Sequence, residues 1–175
     1  MRGMGFRGGS LRANGKLVAW SAGFVLSQAN IVRLLGPVAP KVLKTQTAPS
    51  ARVYAAVLDG MDSAEIGRYR SHFYLDFVHP GIYATALRAG VRRLDELSPL
   101  PPATKRALLA APVVSAAGDY IENVAGLYLL DHRDRITDGA IRATTAISTT
   151  KWVLALGSLA YLARGFARAW GRADR

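Results

Sequence analysis

The chain has no cysteine, which excludes disulfides, thiolate metal sites and cysteine nucleophiles. Its first 58 residues contain no acid. It has no Walker loop, no G-x-S-x-G and no H-E-x-x-H, so soluble phosphate chemistry and serine hydrolysis have no foothold in the sequence. Strand-like alternation is absent, as are internal repeats and low-complexity tracts. Acids are few: 12 Asp+Glu stand against 23 Lys+Arg, a net charge of +11. The basic residues are scattered among apolar blocks without an aromatic-plus-basic recognition motif, which argues against nucleic acid. An excess of this kind fits anionic lipid or the signals that orient a membrane protein.

What the chain has is apolar length. Half of its 175 residues are hydrophobic, although 20% are charged. Four apolar blocks run over 17–39, 72–91, 107–130 and 143–163. Each is near the roughly 20 residues that cross about 30 Å of hydrocarbon. Alanine and leucine dominate them, so helix is the expected state. The fold class read from this pattern is all-α: a four-helix transmembrane bundle at 17–163. A basic N-terminal extension (1–16) and a basic tail (164–175) flank it. A short amphipathic helix at 50–58, with Val53, Tyr54 and Val57 on one side, is expected in the first connection. Asp62-Ser-Ala-Glu65 reads as a capping box opening the next helix. Pro80 should kink the second block, Pro112 should lie one turn into the third, and Thr104 should cap it.

Charge also sets an expected topology. With both termini inside, 13 basic residues fall on the inner side and 8 on the outer. The Arg-containing, Gly-rich, acid-free start reads as an inner-side flank or as a mitochondrial-type presequence. The expected location is accordingly a bacterial or a mitochondrial inner membrane.

The blocks carry ionisable groups where a bilayer or a dry core would be. His72, Asp76, His79 and Tyr83 recur at i, i+4, i+7 and i+11, on one helix face. Ser115, Asp119, Glu122 and Gly126 repeat the pattern, with Asn123 beside them. Thr144, Ser148 and Lys151 do so in the fourth block. In the first, Ser27 and Asn30 share a side, with Arg33 expected one turn further. Ionisable groups are costly in hydrocarbon and so face inward and pair. The expected result is an internal polar seam of Arg33, His72, Asp76, His79, Tyr83, Asp119, Glu122, Asn123 and Lys151. Glu122 and Asp76 should lie close to each other or share a basic partner, Lys151 or Arg33.

Three readings of the seam stay open. It can fix helix register through ion pairs. It can line a cavity that binds or transforms a ligand. It can hold a divalent ion through His72, Asp76, His79 and Glu122. No cofactor is expected, and no residue is assigned a catalytic role. Tyr69, Tyr74, Tyr128 and Trp152 read as packing or interface anchors.

Gly67-Arg68-Tyr69 leading into Leu75-Asp76, then Asp119-Tyr-Ile-Glu122-Asn123, then Lys151-Trp152, resembles a group of small, uncharacterised bacterial-type four-helix membrane proteins. The resemblance covers roughly residues 50–160, and D-x-x-E-N is its most specific element. It implies the four-helix membrane fold and transfers no role to any residue. The expected function is that of a structural or accessory membrane component in contact with lipids, with anionic headgroups at its basic tails, and with other membrane subunits. The alternative is a small membrane enzyme or lipid-binding protein that uses the acidic seam on a lipid-soluble ligand. A roomy polar cavity between the helices would favour the alternative, and a tightly packed seam the first.

Overall fold

The computed structural model describes residues 5–173, with side-chain surroundings for 14–171. The outermost parts of the expected basic extension and tail lie outside the described residues. Among those described, regular structure is entirely helical: α1 (Gly5–Leu35), α2 (Ala39–Gln46), α3 (Ala51–Asp59), α4 (Ser63–Asp76), α5 (His79–Leu97), α6 (Pro102–Asp131) and α7 (Asp138–Ala173). The helices overrun the apolar blocks. In particular, α1 starts within the basic extension and α7 continues into the basic tail.

Local chemistry explains the breaks. Gly36 adopts φ of +49°, a left-handed conformation that glycine reaches without a Cβ clash, and Pro37 follows it. Together they end α1 and turn the chain through a 3₁₀ segment into α2. Asp62 and Glu65 form the expected capping box: Glu65 N donates to Asp62 Oδ1 at 2.8 Å, and Asp62 N to Glu65 Oε2 at 3.1 Å. Lys41 reaches across to Glu65 at 2.5 Å, and its hydrogen bond holds that carboxyl below its ordinary range. The second apolar block is one path in two pieces. Helix α4 stops at Asp76 and α5 begins at His79, with Pro80 at its start, where a missing N–H costs no intrahelical bond.

Three local expectations are corrected. The short helix buries Tyr54 and Leu58 and leaves Val53 exposed, because its core stripe lies one residue further round than expected. Thr104 is not a cap, because Pro102 opens α6 two residues earlier. That early start places Pro112 inside the helix rather than at its first turn. Its absent N–H cannot bond the carbonyl of Leu108.

Helix α5 is central and packs against α1 and α6, while α6 packs along α7. Close approach is set by small residues. Leu162 of α7 sits over Gly90 of α5, and Leu94 of α5 sits over Gly165 of α7. The Phe73 ring of α4 occupies the space a side chain at Gly126 of α6 would need. A second cluster at one end gathers Val38, Tyr54, Leu58, Phe73 and Ile141 around α2, α3 and α4. Helices α1 and α7 do not pack closely on each other, and that separation creates the site described below.

The outer faces carry many large apolar side chains. Val18, Val25 and Leu26 of α1 are exposed, as are Ile121 and Val124 of α6 and Val153 and Leu156 of α7. Two helical stretches are long and apolar enough to cross a membrane: Asn14–Gln46 and Asp138–Gly171, each with mean hydropathy 1.2.

Candidate functional site

A cavity of about 460 Å³ lies between α1 and α7, floored by α4, α5 and α6. Its polar floor is built from the residues whose spacing marked them as a seam. His72 and Asp76 come from α4, His79 and Tyr83 from α5, Asp119 from α6 and Lys151 from α7. The walls are apolar: Leu17, Ile31 and Leu35 on one side, Leu156, Leu159 and Phe166 on the other.

The floor divides into a closed half and an open half. The closed half is tied down by Glu122, which is buried on α6 behind the cavity lining. Its Oε1 accepts from Lys151 Nζ at 3.0 Å and from Gln46 Nε2 at 2.5 Å. Its Oε2 accepts from the Ser148 hydroxyl. Lys151 also donates to Asp119 Oδ1, so one ammonium bridges two carboxylates one turn apart on α6. Gln46 is held in turn by the Trp152 indole N–H at 3.3 Å. Charge-assisted bonds of this kind are the strong ones, and here they tie α2, α6 and α7 together.

Ser115 extends the closed half. Its hydroxyl donates to the Lys151 backbone carbonyl at 2.8 Å. A serine has one O–H, so the 2.8 Å bond between Tyr83 and Ser115 must have the tyrosine as donor. Tyr83 is thereby fixed between α5 and α6 with its donor spent.

The open half holds Asp76 and the two histidines. His72 Nδ1 faces the Tyr69 carbonyl, so that nitrogen carries the proton and a neutral ring offers Nε2 as an acceptor. His79 Nδ1 bonds the Ser27 hydroxyl at 2.9 Å, and its ring stacks on Phe24 at 5.7 Å. Asp76 forms no ion pair among the described residues. Its neighbour is Asn123, which is close enough to interact with it. Asn123 is fully buried, yet neither its amide nitrogen nor its oxygen has a hydrogen-bond partner within the protein.

Arg33 departs from the expected set. It is exposed and bonds Asn30 on its own helix at 3.0 Å, away from the floor. The reason is angular. Arg33 lies six residues from Ser27, about 120° round a helix of 3.6 residues per turn. Lys151 is therefore the single base of the seam. Lys151 contacts Glu122 and Asp119 directly, and Asp76 lies within electrostatic reach of both Lys151 and Glu122 without touching the ammonium. The metal reading is also corrected. His72, Asp76, His79 and Glu122 are not assembled into a group able to hold an ion, and no such group occurs among the described residues. Glu122 is turned into its own bonds with Gln46, Ser148 and Lys151 instead.

Two participants lay outside the expected seam. Gln46 ends α2, in a polar connection with no readable period. Trp152, expected as an anchor, also lines the cavity. Known protein families, curated proteins and solved structures yield no match to this chain.

Proposed function

We propose that this protein is a four-span integral membrane protein that binds a lipid-soluble amphiphile in the groove between α1 and α7. The observation that carries the reading is the cavity: a polar floor set between long apolar walls. Its volume falls within the roughly 300–1,000 Å³ usual for small-molecule sites. From Lys151 to Phe166, α7 contributes about 22 Å of wall at 1.5 Å per residue. That shape suits a head on the floor and a tail along the wall.

The membrane part rests on where charge is absent. In α7 the only charged residue between Arg142 and Arg164 is Lys151, and it is buried. In α6 the only ones between Arg106 and Asp131 are Asp119 and Glu122, also buried. The α4–α5 path carries one charged residue, Asp76, between Arg70 and Arg88, and it faces the cavity. Inward charge under an apolar exterior is the pattern lipid imposes. With four crossings, both ends share one side. Cysteines placed singly at Lys16 and Arg168, in this cysteine-free chain, should react alike with an impermeant thiol reagent. Opposite labelling would refute the crossing number.

The groove reading has its own test. Ala163 is exposed on the apolar wall, so a larger side chain there fills the groove without overpacking the core. Ala163→Trp should cut binding of a dodecyl-tailed amphiphile by about tenfold or more, some 1.4 kcal/mol. Its melting temperature in maltoside should stay within a few degrees, as for other surface changes. Unchanged binding would count against the groove.

The accessory-component reading keeps one supporting observation, the tightly bonded half of the floor around Glu122. Stable co-purification with a defined complex in mild detergent would favour it.

A further inference from the structure

Counting charge on the floor narrows the ligand. Asp76 and Asp119 supply two carboxylates to the floor, Glu122 a third behind it, and Lys151 the single ammonium. Lys151 is committed to Asp119 and Glu122, and Arg33 points away. His72 offers an acceptor nitrogen in its neutral form, and His79 is occupied at Nδ1. Tyr83 and Ser115 have spent their donors on each other and on a backbone carbonyl. The open half of the floor thus holds an unpaired carboxylate and, among the described residues, no free ammonium or guanidinium.

A second observation points the same way. Asn123 is buried with both polar atoms unpartnered, beside the one carboxylate that lacks an ion pair. Buried polar atoms are almost always bonded, and an exception calls for an explanation. Asn123 does not itself line the cavity, so it acts on a ligand through Asp76, which does. Phe24 and Trp152 border the same space, with Phe24 stacked on His79 and the Trp152 ring facing the Lys151 ammonium at 5.5 Å.

We propose that the amphiphile carries a cationic amine head, which sits against Asp76 with its tail along the α1–α7 wall. This inference rests on the groove reading and adds the charge of the head. Lys151 does not oppose it, because its charge is taken up by two carboxylates. An anionic head would meet Asp76 with no free ammonium or guanidinium to offset it.

The test uses three probes with one brominated dodecyl tail and a primary ammonium, hydroxyl or sulfate head. Each is titrated into protein in uncharged maltoside micelles. The protein carries Trp20→Phe and Trp170→Phe, so that Trp152 in the groove reports contact by quenching. The ammonium probe should quench at a concentration about tenfold lower than the alcohol, the scale of a charge-assisted contact. The sulfate should be weakest. Asp76→Asn should bring the ammonium probe to the level of the alcohol, and Asp76→Glu should retain the preference. Equal quenching by all three heads, or a preference that survives Asp76→Asn, overturns the cationic head and leaves the groove standing. If no probe quenches Trp152 while all quench a variant that keeps Trp20 alone, the groove reading fails and the head assignment falls with it.

Discussion

Lys151→Met should be the most destabilising substitution in the seam. The methionine fills similar space but leaves Asp119 and Glu122 without their common cation. Both carboxylates are buried one turn apart on α6, and both contact the Lys151 ammonium. Removing one partner of a buried ion pair costs about 3–5 kcal/mol, because the remaining charge is stranded. At about 2–4 °C per kcal/mol for a chain of this size, the melting temperature in maltoside should fall by on the order of 10 °C. Circular dichroism would follow it. Adding Asp119→Asn and Glu122→Gln to Lys151→Met should recover much of the loss, since the stranded charges are then gone. Ser148 and Gln46 can still bond an amide at residue 122. A single-variant loss below about 1 kcal/mol, the scale of a surface pair, would mean that the bridge is not structural.

That expectation and the cationic-head proposal divide the seam between two roles. Glu122 and Lys151 hold helices, while Asp76 faces open space. The sequence could not make this division. Periodicity placed Asp76, Asp119, Glu122 and Lys151 on inward faces, and all four line the cavity or lie beside it. It could not say which acid would reach the one base, because that depends on how α6 and α7 are phased against each other. The capping box, the break near Pro80 and the end of α1 at Gly36-Pro37 were legible, since each follows from chemistry within a few residues.

Arg33 was placed by one-turn counting on a face that helix geometry rotates out of the floor. Gln46 could not be found at all: its partners Glu122 and Trp152 lie 76 and 106 residues away, and its own helix is short. The cavity was equally out of reach. It exists because α1 packs on α5 while α7 packs on α6, leaving the two outer helices apart. No pattern within one helix encodes that gap.

Asn123→Leu should stabilise the protein while impairing its binding. Leucine has the branching of asparagine without its polar atoms. In the folded chain those atoms are fully buried and have no hydrogen-bond partner, whereas in the unfolded chain water satisfies them. A buried unsatisfied polar group costs about 1–3 kcal/mol, so its removal should raise the melting temperature by several degrees. A residue that costs stability behind a cavity-lining acid fits a site selected for something other than stability. The same variant should therefore weaken the ammonium-headed probe, because Asp76 loses the amide beside it. Asn123→Ala separates the two effects: it removes the amide but leaves a void, which should cancel much of the gain in stability. A marked fall in melting temperature for Asn123→Leu would show that the amide is bonded in the folded protein, and the orphaned pair with Asp76 would lose its significance.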